Sequence, residues 1–297
     1  MFMKIDSVFS GGGVKAFAYM GALQALNEHN LVVERVAGTS AGAIMAALLA
    51  AGFKPDDIQK EIEHTDLNRF LDSPKWSKLI PFNKWFRVYF QMGIYQGNAL
   101  ERWISSLLAK KGVHTFGDIK EGYLKVIVSD ISLKKLIVIP DDLERVYGIE
   151  PESFSVATAV RMSAGFPYFF MPKKLRYAPD KYSMMVDGGL LSNFPLWVFG
   201  HRDNTRKRPL LGFRLKEKDH PGQTKAMDNA LDMFQGLFST MKLAHDTRFV
   251  STEDDKNIIY IPVEGIQSTD FNMDEKQISQ LSETGYDITN HFLMKWP

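Results

Sequence analysis

The sequence predicts an α/β fold, in which helices pack on the faces of a mostly parallel β-sheet. The main observation is that the order strand, glycine-rich turn and helix occurs twice between Lys4 and Ala51. Two strands joined by such a helix lie parallel, because the helix returns the chain to the same end of the sheet. Downstream, most of the predicted strands are again flanked by a helix or a long connection.

Each element of the two repeats is bounded by residues that stop it. The first strand ends at a glycine cluster, and the second helix ends before Gly52 and Pro55. In chain order, the segments of the two repeats are Lys4–Phe9, Ser10–Gly13, Val14–Leu26, Leu31–Ala37, Gly38–Gly42 and Ala43–Ala51. Later strands are predicted at Leu124–Ser129, Leu136–Ile139, Ser183–Val186, Leu210–Leu215 and Asn257–Pro262. Later helices are predicted at Ala99–Lys110, Ser153–Ser163, Ala226–Arg248 and Glu275–Met294.

The composition predicts one large globular domain. The chain has 297 residues, of which 45% are hydrophobic and 24% charged, far from the composition of disordered chains. A net charge of +1 gives no global basic surface for nucleic acid, and the absence of cysteine excludes disulfides, thiolate metal sites and a cysteine nucleophile. Residues 1–10 do not resemble a signal peptide, and no segment approaches the ~20 apolar residues of a transmembrane helix. We therefore expect a cytoplasmic protein whose membrane contact is peripheral.

A serine nucleophile is indicated by Gly38-Thr39-Ser40-Ala41-Gly42, which matches the pattern G-x-S-x-G. The segment lies where this pattern requires it, directly after a predicted strand and before a predicted helix. The sharp turn strains the serine backbone and exposes its hydroxyl, and small residues on either side let the chain close. The N-terminus of the following helix directs free N–H groups toward charge that develops near Ser40. Tight strand–helix packing also favours small residues, so the pattern supports a nucleophile only together with the other motifs of the sequence.

A glycine-rich loop with the sequence GGGVK occupies residues 11–15, after the first predicted strand. Its backbone N–H groups can approach an anion closely, which suits an oxyanion or a phosphate. A dinucleotide-binding fingerprint would need a third glycine where Ala16 stands, and no G-K-[ST] follows as in a P-loop. An oxyanion hole is therefore the better interpretation of the loop.

Asp187 is a candidate general base. It ends the predicted strand Ser183–Val186 and precedes Gly188 and Gly189, with Asn193 in the loop that follows. Side chains at the carboxyl ends of strands lie at the edge of the sheet where α/β proteins form their sites. A carboxylate there accepts a serine proton when desolvation and hydrogen bonds adjust its pKa. Asp-Gly pairs are also common in plain turns, so the assignment depends on the other two motifs.

Together, the three segments resemble the patatin-like phospholipases. That family combines a Gly-Gly-Gly-x-Arg/Lys oxyanion loop, a Gly-x-Ser-x-Gly turn and an Asp-Gly-Gly/Ala base segment, in the order found here. Residues 93–100 (GIYQGNAL) and 159–167 (AVRMSAGFP) resemble two further family segments. The resemblance covers Ile5 to Leu215. Ala16 departs from it, because many members have glycine after the basic residue of the loop.

The resemblance implies a serine acyl hydrolase on a three-layer α/β/α sandwich, acting on ester bonds of phospholipids or related lipids. Ser40 is then the nucleophile and Asp187 the base of a catalytic dyad that needs no metal or cofactor. The N–H groups of the oxyanion hole are expected from Gly11, Gly12, Gly13 and Val14. Supporting positions are Lys15, Gly38, Gly42, Gly188 and Gly189. Of these, Lys15 is expected to bring positive charge near the loop or a lipid head group.

We expect residues 1–297 to form a single catalytic domain, with residues 216–297 as a C-terminal extension packed on it. In residues 66–96 the apolar residues follow neither the helical nor the strand period, and we expect this segment to form a cap or lid over the site. Their aromatic and basic residues include Trp76, Phe82, Trp85, Phe86, Tyr89, Phe90, Lys75, Lys78, Lys84 and Arg87. These side chains either face a membrane surface transiently or form a partly buried cap with the basic groups at its edge. A lipid substrate is the expected partner, and nucleic acid is not expected.

Two other functions are compatible with the sequence. An ordinary α/β-hydrolase uses a Ser–His–Asp triad in the chain order serine, acid, histidine. Four histidines follow Asp187, although none stands in a recognisable loop after a final strand: His201, His220, His245 and His291. The second alternative is a lipid-binding protein that keeps this fold without catalysis. The joint presence of serine, aspartate and glycine loop argues against it, because a degenerate member would be expected to lose one of them.

Overall fold

A mixed β-sheet runs through the protein in the computed structural model, which describes residues 2–63, 65–73, 83–200, 208–216, 233–234, 236–242 and 255–296. The strands are β1 Met3–Phe9, β2 Leu31–Thr39, β3 Gly93–Tyr95, β4 Leu124–Asp130, β5 Lys135–Ile139, β6 Tyr168–Phe170, β7 Lys173–Ala178, β8 Lys181–Asp187, β9 Leu210–Lys216 and β10 Ile258–Pro262. The α-helices include α1 Ala18–Glu28, α2 Ala41–Ala50, α3 Pro55–Glu63, α4 Asn83–Gln91, α5 Asn98–Ala109, α6 Leu143–Tyr147, α7 Val156–Ser163 and α8 Glu275–Leu293. Residues 236–242 are helical as well.

Eight strands form the main sheet, in the order β10-β9-β1-β2-β4-β8-β7, with β5 also paired to β4. The neighbouring strands from β10 to β4 run parallel, whereas β5, β8 and β7 join antiparallel. The predicted α/β fold with a mostly parallel sheet is therefore confirmed. Strands β3 and β6 form a separate, parallel two-stranded sheet.

The main hydrophobic core lies between one face of the sheet and the helices α1, α2, α5, α7 and α8. Side chains of β1 alternate, so that Ile5 and Phe9 belong to this core and Val8 faces the other side. On that side Val8 packs with apolar residues of the segment 194–199 in a smaller core. Within the described residues, the sheet thus lies between a thick helical layer and a thinner second layer.

The C-terminal helix α8 packs closely against α1. A Cβ added at Gly21 of α1 would lie 1.8 Å from the carbonyl oxygen of Ser282, and one at Gly285 of α8 would lie 1.8 Å from that of Ala18. Two backbones approach this closely only where glycine leaves out the side chain. Because α1 follows the glycine-rich loop, this contact also fixes the chain on one side of that loop.

Some predicted elements differ from the structure. The predicted helix Val14–Leu26 begins as a 3₁₀ turn at Gly13–Phe17, and α1 starts only at Ala18. Of the predicted helix Ala226–Arg248, residues 233–234 and 236–242 are described, and they are helical. Strand β7 was not predicted, because its residues do not alternate clearly between apolar and polar; it forms a hairpin with β8.

The segment 66–96, predicted as a cap, is described at residues 66–73 and 83–96. It forms a 3₁₀ turn at Leu67–Phe70, helix α4 and strand β3. The predicted cap residues outside the described part are Lys75, Trp76, Lys78 and Phe82, together with the side chains of Lys84, Trp85 and Phe86. Arg87 is buried, which fits neither a membrane-facing position nor the edge of a cap for this residue, whereas Tyr89 and Phe90 are exposed. Among the described helices, none is long and apolar enough to cross a bilayer.

Candidate active site

Ser40 lies in the sharp turn between β2 and α2. Its backbone angles, φ 55° and ψ −126°, fall in a region that residues other than glycine rarely adopt. A Cβ at Gly38 would lie 2.2 Å from the carbonyl oxygen of Gly42, and one at Gly42 would lie 2.4 Å from that of Phe9. The two glycines therefore allow the chain to close around Ser40.

Ser163, the last residue of α7, supports this turn. Its hydroxyl accepts a hydrogen bond of 2.9 Å from the N–H of Ser40 and donates one of 2.6 Å to the carbonyl oxygen of Ile127 in β4. Ser163 is fully buried, so a lost bond here is not replaced by one to water. Ser163 therefore connects the strained turn at Ser40 to β4, an inner strand of the sheet.

Asp187 contacts Ser40 directly. The hydroxyl of Ser40 donates a hydrogen bond of 2.6 Å to Oδ2 of Asp187, and the N–H of Gly189 donates one of 2.7 Å to Oδ1. Asp187 is the last residue of β8, and a 3₁₀ turn at Gly188–Leu190 follows it. The fold thus brings together two residues that lie 147 positions apart in the chain.

The register of β8 explains how the carboxylate reaches the serine. The sequence predicts Asp187 at the carboxyl end of a strand in a mostly parallel sheet, but β8 is antiparallel to β4, with Asp187 opposite Val128. The preceding residue of β4, Ile127, is opposite Thr39 at the end of β2. Strands β8 and β2 therefore end at adjacent positions along β4, and this meeting of two strand ends places Asp187 beside Ser40.

Burial raises the pKa of Asp187 to about 6. The hydrogen bonds from Ser40 and Gly189, and the positive charge of Lys242, lower the pKa and offset part of this effect. Near neutral pH the carboxylate is still mostly ionised, and its affinity for a proton exceeds that of an exposed carboxylate. These properties suit a group that takes a proton from Ser40.

The glycine-rich loop packs against the serine, because a Cβ added at Gly11 would come within 2.9 Å of the Cβ of Ser40. Two of its N–H groups already have acceptors. The N–H of Gly11 donates to the carbonyl oxygen of Asn193, and that of Val14 donates to the carbonyl oxygen of Ser268, each over 3.1 Å. Two of the four N–H groups expected in the oxyanion hole are thus occupied in this structure.

The N–H groups of Gly12 and Gly13 have no acceptor among the described residues. Gly13 begins the 3₁₀ turn Gly13–Phe17, and the first N–H groups of such a turn find no partner inside it. Its φ of +59° is a left-handed conformation that favours glycine. Lys15, in the same turn, is only 4% exposed, so it does not present its charge to a head group at the protein surface.

A cavity of about 130 Å³ lies beside Ser40. Most of its lining residues are aliphatic or aromatic, and they come chiefly from the 3₁₀ turn Gly13–Phe17, α2 and the residues around β6. The hydroxyl groups in the lining belong to Ser40, Ser268 and Thr269. Phe271 completes one wall and stacks on Phe169, with ring centres 5.7 Å apart. Such a cavity suits an apolar chain whose reacting end lies at Ser40.

The helical residues 236–242 cover the site. Phe238 is buried and packs edge to face on Phe166, with ring centres 4.9 Å apart, and Phe166 lines the cavity. Lys242 adds positive charge to the surroundings of Asp187. This segment belongs to the predicted helix Ala226–Arg248, which had not been assigned to the site.

Ser163, Asn193 and Ser268 hold the site together without having been predicted as site residues. Ser163 lies in a family-like segment and Asn193 follows another, so the resemblance offered a signal for both. Ser268 acts through a backbone carbonyl group, which no sequence pattern marks.

The four histidines proposed for a triad are mostly outside the described residues. His201, His220 and His245 lie there. His291 lies on α8, where its Nε2 is 3.0 Å from Nζ of Lys295. Within the described residues, the carboxylate of Asp187 has its hydrogen bonds with Ser40 and Gly189.

Comparison with known proteins identifies the family. A family model described as patatin-like phospholipase matches residues 8–199, more than half of the chain. The uncharacterised protein YqhO of Bacillus subtilis is 43% identical over 294 residues, which cover 99% of each chain. The triacylglycerol lipase ptl3 of Schizosaccharomyces pombe is 27% identical over 202 residues, or 66% of this chain and 40% of the lipase. VipD from Legionella pneumophila shares the fold with a TM-score of 0.58 and 19% identity, over 98% of this chain and 67% of VipD. The chain belongs to the patatin-like phospholipase family.

Proposed function

We propose that this protein hydrolyses carboxylic ester bonds of phospholipids or related lipids, as a phospholipase A or lysophospholipase. The observation that supports this most strongly is the 2.6 Å hydrogen bond from Ser40 to the buried carboxylate of Asp187, at the edge of an apolar cavity. A nucleophile needs an adjacent base, and a lipid substrate needs an apolar site for its acyl chain.

In the first half of the reaction, Oγ of Ser40 attacks the ester carbonyl carbon while Asp187 takes the hydroxyl proton. The developing oxyanion accepts hydrogen bonds from the N–H groups of Gly12 and Gly13, and from that of Ala41 at the start of α2. Asp187 then passes the proton to the leaving alcohol oxygen, and the acyl group stays on Ser40 as an ester.

In the second half, a water molecule replaces the leaving alcohol. Asp187 takes a proton from this water as it attacks the acyl carbon, and the same N–H groups hold the new oxyanion. Collapse of the intermediate releases the fatty acid, and the proton returns to Oγ of Ser40. One Asp187 side chain therefore serves as base and acid in both halves.

The substrate class is inferred from the cavity and from the family. The lining is apolar apart from three hydroxyl groups, so it accepts an acyl chain and disfavours charged substrates. Family membership and similarity to a protein named as a triacylglycerol lipase both favour a lipid.

Direct contact between serine and carboxylate favours a dyad over a triad. In a triad, a histidine ring stands between the two groups, because it carries the proton from one to the other. At 2.6 Å, Ser40 Oγ and Asp187 Oδ2 leave no room for such a ring. The presence of Ser40, Asp187 and the glycine-rich loop together also argues against a protein that binds lipid without catalysis.

The test is hydrolysis of lysophosphatidylcholine, phosphatidylcholine and triacylglycerol, with a soluble short-chain ester alongside. Ser40→Ala and Asp187→Asn should each reduce the rate to below about a thousandth of the wild-type rate. Ser7→Ala is the matched control, because Ser7 is buried in β1 and its hydroxyl has no partner among the described residues.

Two outcomes would count against this assignment. A wild-type protein that neither hydrolyses any of these esters nor reacts with a fluorophosphonate at Ser40 would favour the silent binding protein. A loss of about three orders of magnitude in His201→Gln, His220→Gln, His245→Gln or His291→Gln, without unfolding, would favour the triad.

A further inference from the structure

The outer side of the helical cover carries an exposed apolar stripe. Met233, Leu237 and Met241 recur every four residues, so they lie on one face of the helical residues 233–234 and 236–242. Their exposed fractions are 56%, 55% and 49%. Three large apolar side chains held in water on one face are characteristic of a surface that binds a partner.

The inner side of the same helical residues fixes the stripe beside the cavity. Phe234 packs on Tyr168 and Phe238 on Phe166, with ring centres 4.6 and 4.9 Å apart. Since Phe166 lines the cavity, the stripe lies on the outside of the wall that separates the site from solvent.

A second exposed apolar group adjoins the stripe. Tyr89, Phe90 and Met92, at the end of α4, are 80%, 63% and 42% exposed. Strand β3 begins directly after Met92 and pairs with β6 at Tyr168, which is itself 37% exposed and contacts Phe234. Tyr168 thus lies between β3, which follows Met92, and the helical residues that carry the stripe. We call the stripe, Tyr168 and these three residues together the apolar rim.

Two members of the apolar rim have unfavourable backbone conformations. Met92 has φ 58° and Tyr168 has φ 63°, in the left-handed region that side chains with a Cβ avoid. Ser40 shares this feature. Strain of this kind concentrates at functional sites, which supports a role for these two exposed positions, although Asn30 and Lys134 share it elsewhere in the chain.

We propose that the apolar rim docks on the surface of the lipid aggregate that holds the substrate. This inference rests on the proposed function, because an acyl chain that enters the cavity leaves the rest of the aggregate at the adjoining surface. Aromatic side chains fit the boundary between head groups and acyl chains, and flexible methionine side chains adapt to it.

The contact is apolar rather than electrostatic. The named residues of the rim are uncharged, and the whole chain carries a net charge of +1. Attraction to anionic lipid would be screened by salt, whereas insertion of apolar side chains is not. We therefore expect binding to neutral phosphatidylcholine vesicles that persists at high salt.

The experiment is co-sedimentation with phosphatidylcholine vesicles. The parent protein is Ser40→Ala, which cannot consume the vesicles. Adding Met233→Ser, Leu237→Ser and Met241→Ser together should lower the partition coefficient at least about ten-fold, because each loses an apolar group that would otherwise leave water.

The matched control is Phe2→Ser with Val32→Ser. These residues are also exposed, at 68% and 41%, but lie at the opposite end of the sheet. Val32 is near the start of β2 and Ser40 follows its end, a separation of about 26 Å along the strand. The control should bind vesicles as the parent does.

Unchanged binding of the triple variant would overturn the proposal, as would an equal loss in the control. Light scattering measures the molar mass of the parent and of the triple variant in solution. If the triple change only converts a dimer to a monomer, the rim joins two copies of the chain and the proposal fails. If the rim governs vesicle binding but the wild-type protein hydrolyses no lipid, the proposed function fails and the docking surface stands.

Discussion

At the residue scale, the strained backbone of Ser40 predicts that glycine is more stable there than alanine. Ser40→Gly and Ser40→Ala both remove the hydroxyl and its bond to Asp187, but only glycine relaxes at φ 55°. Loss of the backbone strain stabilises Ser40→Gly by ~1–3 kcal/mol relative to Ser40→Ala. The greater freedom of glycine in the unfolded chain offsets ~1 kcal/mol of this, so the free energy of unfolding should be about 1 kcal/mol higher for Ser40→Gly. Urea unfolding of the two variants measures this difference. A Ser40→Gly variant about 1 kcal/mol less stable than Ser40→Ala would mean that the turn stores no strain.

The raised pKa of Asp187 predicts the pH dependence of the reaction. The base must be unprotonated, so kcat/KM is high above the pKa and falls as the pH drops through it. With a pKa of about 6, kcat/KM on a soluble ester should fall about ten-fold for each pH unit below that value. A pH series on the free enzyme tests this. A midpoint near the ordinary aspartate pKa would mean that burial does not govern this carboxylate.

Ser40 and Asp187, which we propose as the reacting residues, could be singled out in the sequence because each sits in a short local pattern. Ser40 required only a strand, a turn of small residues and a helix, and Asp187 only a strand end before glycines. The N–H groups available to an oxyanion were not predictable in the same way. The N–H groups of Gly11 and Val14 are instead occupied by the carbonyl oxygens of Asn193 and Ser268, which come from distant parts of the chain.

At the scale of elements, the segment after β10 helps to shape the glycine-rich loop. The carbonyl oxygen of Ser268 accepts the N–H of Val14, and Phe271 anchors the segment on the aromatic wall of the cavity. A segment beyond the residues matched by the family model thus holds the glycine-rich loop at Val14.

Gly13→Ala should therefore impair catalysis far more than Gly12→Ala. A Cβ at Gly13 would lie 1.8 Å from the carbonyl oxygen of Ser268 and would be strained at φ +59°, so the loop must move. At Gly12 the backbone is extended, and a Cβ would meet only the flexible end of Leu215. We expect a loss of about 10²–10³ in kcat for Gly13→Ala, as for a lost oxyanion donor.

Steady-state kinetics on a soluble ester, with circular dichroism to check folding, compare the two glycine variants. Equal rates in both would mean that the direction of the loop does not control oxyanion binding, and that Ala41 at the start of α2 is the main donor.

Helices and strands were predictable from the sequence where apolar residues recur with a clear helical or strand period. They were poorly predictable where contacts with other parts of the chain determine the structure. The repeats around β1, α1, β2 and α2 follow directly from alternation, glycine turns and helical spacing. The antiparallel β8 was not recognised as such, because the direction of a strand is set by its partners and not by its own residues. The 3₁₀ turn at Gly13–Phe17 was read as helix because the two share their apolar spacing over so few residues.

At the scale of the whole molecule, one hydrophobic core joins the turn at Ser40 to the C-terminal part of the chain. Helices α1, α2 and α8 contribute to the same core, and β10 extends the sheet that carries Ser40. The extension over residues 216–297 has no recognisable motif, so its contribution to the core and the sheet could not be predicted from the sequence. That it forms a single domain with the rest remains a prediction.

A substitution in α8 tests that prediction. Gly285→Leu would place a side chain 1.8 Å from the carbonyl oxygen of Ala18, so α8 must move away from α1. Overpacking of this kind costs about 1–3 kcal/mol, which lowers the unfolding temperature of a chain this long by at least about 2 °C. Glu283→Leu, at an exposed position of the same helix, should leave it unchanged. Because α1 also bounds the glycine-rich loop, fluorophosphonate labelling of Ser40 and ellipticity should be lost in one transition. Labelling that outlasts a separate, earlier transition would make the C-terminal part an independent unit.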